Sequence, residues 1–171
     1  MLKKVILSVL FCASLMSGAT AQKIAVVDMA KIMDAVPEYK QANEDLDKIA
    51  AKWRQDIAVE YDKIKGLYSK YQAEQVLLTE EQRKQKEDEI MNKEKEVREM
   101  QKDKFGPEGA LFKKRQELVK PIQERVYAAI EKLSTSKGYE FVFDKGSASG
   151  LIFSTSANDK TDDIVKELNK K

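Results

Sequence analysis

Lys137-Gly-Tyr-Glu-Phe-Val-Phe-Asp-Lys-Gly-Ser-Ala-Ser-Gly-Leu-Ile-Phe-Ser154 decides the fold. For about a hundred residues before it, the chain reads as charged helix. Here Tyr139, Phe141 and Phe143 alternate with polar or smaller residues, the period of a half-buried strand. A Gly/Ser turn follows, and then a second apolar run, Leu151-Ile152-Phe153, reads as another strand. Near the other end, Lys23-Ile-Ala-Val-Val-Asp28 is a short β-branched run bounded by charge, and it is the natural partner for the far strands.

Pairing these ends requires the intervening chain to go out and come back, and its apolar pattern says that it does. From Tyr39 the residues Ala42, Leu46, Ile49, Trp53, Ile57, Tyr61, Ile64, Tyr68 and Tyr71 recur in steps of three and four. That is the pattern of a coiled-coil seam, with a stutter at Trp53-Ile57-Tyr61. Asp28 can cap a helix that starts at Met29. The chain turns near Val76-Leu77-Leu78-Thr79, where Thr79 and Gln82 have capping-box spacing and Glu80 and Glu81 suit a helix start. The return helix runs to about Ser134. Its first stretch has only Ile90, Val97 and Met100 as seam residues. Phe105-Gly-Pro-Glu-Gly109 interrupts it. Leu111, Leu118, Ile122, Val126, Ala129 and Leu133 then restore an apolar stripe, in which Pro121 should kink the helix or cost a hydrogen bond. The two legs come to ~75 and ~80 Å at the helical rise. Thr161, followed by Asp162 and Asp163, reads as the N-cap of a final helix that shows Ile164, Val165 and Leu168 on one face.

The fold class is therefore α+β: a long antiparallel helical hairpin, coiled-coil-like, projecting from a small β body. Residues 1–21 read as a signal peptide, with Lys3 and Lys4, an apolar run from Val5 to Met16, and an Ala19-Thr20-Ala21 cleavage site. The mature chain is expected to begin at Gln22 and to reside in the periplasm. Residues 22–36 and 135–171 form the discontinuous body with its C-terminal helix. Residues 37–134 form the arm, with its tip near 76–80.

Composition narrows the chemistry. The lone cysteine, Cys12, leaves with the leader, and histidine is absent. No nucleophile–base constellation and no phosphate-binding G-x-x-x-x-G-K-[ST] loop is present, so no enzyme activity, cofactor or metal site is expected. Net charge is +2, and losing Lys3 and Lys4 leaves 29 basic side chains against 29 acidic. Nucleic acid is not an expected partner. Between Glu80 and Lys104 nine acidic residues face eight basic ones, which argues against the attraction to lipopolysaccharide or anionic membrane that a basic arm would have.

Three groups of residues have two readings each. Trp53 stacks on a ligand or packs in the seam. Tyr61, Tyr68 and Tyr71 contact a partner or fill the seam. Val76, Leu77 and Leu78 are exposed for a partner or pack within the turn. Gly106, Pro107 and Gly109 read as a hinge.

The mature chain resembles the Skp, or OmpH-like, family of periplasmic chaperones. The resemblance rests on KIAVVDMAKIMDAVPEYK at 23–40, the charged hairpin, LVKPIQERVYAAIEKLSTSKGYEFVFDK at 118–145 and DKTDDIVKEL at 159–168. It implies a homotrimer whose strands form a central body and whose three hairpins enclose a cavity for unfolded outer-membrane proteins, held without ATP. Ile24, Val26, Phe141, Phe143, Leu151 and Phe153 would belong to that body. Tyr68, Tyr71, Val76, Leu77 and Leu78 are the candidate client contacts. One chain has too few strands to cover its own sheet edges, and this independently favours association. The rival reading is a structural coiled-coil spacer or adaptor of the envelope.

Overall fold

In a computed structural model of the chain, residues 22–147 and 150–170 are described; the expected leader and its expected cleavage site lie outside them. In chain order come β1 (Ile24–Val27), α1 (Met29–Asp34), α2 (Pro37–Glu74), a 3-10 turn (Gln75–Leu77), α3 (Glu80–Phe105), α4 (Ala110–Lys137), β2 (Phe141–Asp144) and α5 (Thr161–Leu168). The contacts divide into two units: Met33–Tyr127, and the described residues up to Ile32 with those from Ala128 onward.

The second of these units is built on a pairing between distant ends of the chain. β1 and β2 are parallel, with Ile24 opposite Phe141 and Val26 opposite Phe143. The other edge of β1 is also occupied. Val26 N–H donates to the Asn158 carbonyl and Lys160 N–H donates to the Val26 carbonyl, both at 2.8 Å. Ala25, Val26, Val27, Ile32 and Ile164 are buried. Gly138, at φ +70°, ends α4 in the left-handed conformation, and Tyr139 N–H reaches back to the Ser134 carbonyl at 2.9 Å. That stop turns the chain out of the helix into β2.

Thr161 does not cap α5 with its side chain. The helix begins at Thr161 itself, and its N-cap position, Lys160, makes no side-chain cap bond. The buried Thr161 hydroxyl accepts from Asp28 N–H at 2.9 Å and donates to Asp159 Oδ1 at 2.6 Å. Lys145 Nζ lies 2.8 Å from Asp159 Oδ2 and 3.7 Å from Asp28 Oδ2. One small network thus ties the end of β1, the turn after β2 and the start of α5. A buried hydroxyl must be satisfied, and tertiary partners offered more than the local cap.

Leu151-Ile152-Phe153 forms no strand. β1 has β2 on one side and Asp159 on the other, so it has no edge left to offer. After β2 the chain is bent locally: Asp144 Oδ1 accepts from Gly146 N–H at 3.0 Å, and Ser147 Oγ donates to the Asp144 carbonyl at 2.9 Å. An apolar run without alternation also has no face to commit to the core, and Ile152 is 99% exposed.

The helix expected from Met29 is split. Asp28 does cap its start, accepting from Lys31 N–H at 3.0 Å. Pro37, however, forces Val36 into an extended conformation (φ −87°, ψ 115°) and becomes the first residue of α2. α3 starts with the expected capping box: Gln82 N–H donates to Thr79 Oγ1, and Thr79 N–H donates to Gln82 Oε1. Helix α4 runs through Pro121 without a break. Burial of Val119, Ile122, Val126 and Ala129 on one stripe holds it together where the proline lacks a donor.

The carboxylates that fasten α5 are strongly acidic. Hydrogen bonds from Lys132 and Lys170 pull Glu167 from 4.5 down to about 2. The Lys145 bond, then those from Thr161, push Asp159 lower in the same direction. A folded-state value below the unfolded one contributes stability that is complete above about pH 5 and is lost as pH falls through 4 toward 2. In acid titrations followed by thermal melting, wild type should lose stability across this window. Glu167→Gln should fall less steeply, and the two curves should converge near pH 2. Parallel curves would show that Glu167 is not linked to folding.

Candidate functional site

The arm lies within Met33–Tyr127 and is built on a thin apolar ladder. Ile57, Ile64 and Tyr71 stand seven residues apart on α2, and Ile90 and Val97 stand seven apart on α3. These five form one buried cluster, flanked by half-buried Leu67, Leu78, Met100 and Phe105. One side chain per seven residues is half of what a two-position seam supplies.

Tyrosine hydroxyls supplement the ladder. Tyr61 Oη donates to Gln101 Oε1 at 3.4 Å, Tyr68 Oη to Glu94 Oε1 at 3.1 Å, and Tyr71 Oη to Glu87 Oε1. The bonds to Glu94 and Glu87 push the Tyr68 and Tyr71 hydroxyls above the usual phenol value, so both remain protonated donors. Tyr61 and Tyr68 sit on the flank and are exposed rather than in the seam. Their rings are carried four residues past Ile57 and Ile64, and only the hydroxyls cross to α3.

The antiparallel register is kept along the whole of α2. As the α2 partner falls from Tyr71 through Tyr68, Tyr61 and Trp53 to Glu38, the return partner rises from Glu87 through Glu94, Gln101 and Phe105 to Arg125. Trp53 meets Phe105 edge-on at 6.2 Å, with Lys104 Nζ 4.6 Å above the indole. Arg125 Nη1 donates to Glu38 Oε1 at 2.9 Å and holds that carboxyl down at about 2.

The interruption between α3 and α4 is closely packed. Gly106 N–H donates to the Lys102 carbonyl at 2.8 Å and Gly109 N–H to the Gly106 carbonyl at 2.9 Å. A Cβ on Gly106 would lie 2.5 Å from the Lys102 carbonyl oxygen, and one on Gly109 would lie 2.9 Å from that of Asp103. Both glycines are therefore required by the approach of the backbone, and Pro107 sits between them as a residue that cannot continue α3.

The candidate contact residues fall into two places on the arm. Tyr68 and Tyr71, with Glu87, Ile90, Met91 and Glu94, line a groove of about 300 Å³. Val76 and Leu77 occupy the 3-10 turn and are 84% and 83% exposed, while Leu78 packs against the ladder. Arg83 Nε donates to the Gln75 carbonyl at 3.0 Å and braces that turn. Two adjacent apolar side chains are thus held in water on a well-formed support. Met91, an exposed residue of the groove lining, was not singled out from the sequence because it lies off the seam period. Among the described residues no cluster of His, Cys, Asp or Glu could hold a metal ion, and no helix is long and apolar enough to cross a membrane.

Residues 23–168 match the family described as Outer membrane protein (OmpH-like). The chain belongs to this OmpH-like family. Its fold is also that of a Caulobacter crescentus protein described as a candidate outer membrane chaperone (OmpH-like), solved by crystallography. The two agree with a TM-score of 0.71 over 89% of this chain and 86% of that one, at 11% identity, so the likeness is one of fold. No sequence among the curated proteins matches the chain.

In this OmpH-like arm Ile90 is one of only two buried residues of α3. Ile90→Ala should cost ~2–5 kcal/mol, toward the lower end because a two-helix ladder can close over the gap. Amide hydrogen exchange should accelerate from about Ile57 to Val97 and stay unchanged in β1 and β2. Acceleration spread equally over both units would mean that arm and body unfold as one.

Proposed function

We propose that this OmpH-like protein is an ATP-independent holdase of the periplasm. It works as a homotrimer, keeping unfolded outer-membrane proteins from aggregating in a cavity between three arms. The observation that carries this reading is the placement of exposed apolar side chains. In the body, Ile24, Phe141 and Phe143 share one face of the sheet, with Phe141 48% and Phe143 39% exposed and their rings 6.4 Å apart. The outer edge of β2 pairs with no strand among the described residues. An open edge beside an apolar face is a surface that needs a partner strand. Val26, already buried within the subunit, and Leu151 and Phe153 complete the proposed body. On the arm, Val76, Leu77 and the Tyr68–Tyr71 groove offer small apolar contacts of the kind that hold an extended chain weakly and at many points. The turn at Gly106, Pro107 and Gly109 is the proposed place where the arm bends.

Such binding needs no nucleotide, because a client that reaches its final fold buries the same apolar surface more completely. A structural spacer is the alternative reading, and the thin ladder argues against it, since a spacer gains from a filled seam. The test is dilution of a urea-unfolded outer-membrane protein into buffer with the mature protein and no nucleotide. Light scattering should stay low at about one trimer per client. A requirement for ATP, or scattering unchanged at excess protein, would reject the holdase.

Assembly is tested separately. Phe141→Asp places a charge on the face proposed to be covered and should cost several kcal/mol if that face is buried between subunits. Sedimentation should show the trimer replaced by smaller species. A mutant trimer as stable as wild type would place Phe141 in water.

A further inference from the structure

The first half of α4 carries a second groove, of about 420 Å³, on the face of the helix that repeats at Phe112, Arg115, Gln116, Val119 and Lys120. Tyr39 of α2 closes its other side. The floor is apolar: Val119 is buried, Tyr39 is half-buried, and Phe112 is exposed. Charge on this part of the chain is one-sided. From Ala110 to Arg125 there are five basic residues, Lys113, Lys114, Arg115, Lys120 and Arg125, against Glu117 and Glu124. Lys114 is paired with Glu117, Arg125 with Glu38, and Lys120 only distantly, at 3.9 Å, with Glu124. Arg115 makes no ion pair among the described residues.

We propose that this groove binds an extended segment of unfolded polypeptide in which an apolar side chain stands next to a carboxylate. The apolar side chain would lie against Phe112, Tyr39 and Val119. The carboxylate would pair with the Arg115 guanidinium, whose planar fork suits two carboxylate oxygens. Lys120 adds positive charge, and the Gln116 amide can both donate to and accept from a strand-like main chain. Carboxylates are absent from the groove lining, in contrast to the Tyr68–Tyr71 groove with its two glutamates, so the two surfaces sort segments by charge. This proposal rests on the holdase reading, for which it names a class of client segment.

The probe is a fluorescein-labelled peptide of repeating Phe-Asp-Ser, compared with its Asn-for-Asp counterpart by fluorescence anisotropy on the full mature protein. An exposed ion pair contributes little and a desolvated charged hydrogen bond more, so the acidic peptide should bind roughly fivefold to tenfold tighter. Raising the salt concentration should shrink the difference. Arg115→Gln should bring the two peptides to within about twofold of each other, with Arg115→Lys intermediate. Because Arg115 is exposed and unpaired, neither change threatens the fold. Equal binding of both peptides by wild type, or an undiminished preference in Arg115→Gln, overturns the proposal. So does a fall in oligomer mass for Arg115→Gln or Phe112→Ser, which would assign the groove to a second copy of this chain. Client aggregation is followed in parallel. A wild type that holds clients without a peptide preference loses the groove alone; a preference without aggregation suppression loses the holdase and keeps the groove.

Discussion

The parallel pairing of Ile24–Val27 with Phe141–Asp144 is the constraint that everything else must satisfy. Parallel neighbours cannot be joined by a tight turn; they require a crossover connection, usually one helix. Here the connection is the whole arm, more than a hundred residues long. Loop-closure entropy rises only slowly with length, so the long excursion itself costs little in stability. Its main cost falls on folding rate, because the body's defining contacts are the most distant in the sequence. The Asp28–Thr161–Asp159–Lys145 network fits that need. It brings the residue after β1, the residue after β2 and the start of α5 to one point, and an interdependent network reinforces a sheet of only two strands.

The arm meets the opposite problem. It has many local contacts and few deep ones. Most of its ion pairs are exposed i,i+3 or i,i+4 pairs on a single helix, such as Lys63–Glu60 and Lys93–Glu96, and these stiffen each helix without joining it to the next. Joining is left to five buried side chains with their half-buried neighbours, three tyrosine hydroxyls, the Trp53–Phe105 contact and the Arg125–Glu38 pair. Hydrogen bonds fix register through geometry while adding little free energy. The register is therefore specific although the association is weak. The proposed holdase would gain from that combination: the arm would return to one resting shape, yet yield locally to a client competing for Ile64, Tyr71 or Ile90.

Legibility from the sequence followed the range of the forces involved. The capping box at Thr79, the stop at Phe105-Gly106 and the start at Asp28 are local signals, and each appeared where it was read; the distant pairing of the two ends was legible because each strand carries its own short apolar pattern and two helical legs of similar length join them. Thr161 was misread because its hydroxyl had two possible uses, and a residue 133 positions away decided between them. Leu151-Ile152-Phe153 was misread because apolar character says that a segment seeks cover, without saying whether its own chain provides it. The basic excess on α4 escaped notice because charge was balanced over the arm's outer stretch and over the chain, while the excess lies within sixteen residues of one helix. Tyr61 and Tyr68 had two readings, seam or partner contact, because three- and four-residue steps place them near the seam; their exposure and their hydroxyl partners separate seam from flank.

The distribution of glycine and proline connects these features. Neither residue interrupts α2 in a way that breaks it, since Pro37 opens the helix and Gly66 has nothing within 4 Å of where a Cβ would stand. On the return path both are concentrated between Phe105 and Ala110, where Trp53 packs against Phe105 and then contact passes to Arg125 and Glu38. The Arg125–Glu38 pair continues the antiparallel order beyond the interruption. The four inserted residues divide the return leg into a charged, thinly packed α3 and an apolar-striped α4. A continuous helix would have transmitted bending of the outer ladder directly into the stripe at Val119, Ile122 and Val126. If the ladder opens onto a client as proposed, the break would let that stripe keep its packing, and the Arg115 groove would stay on the part of the arm that does not have to move.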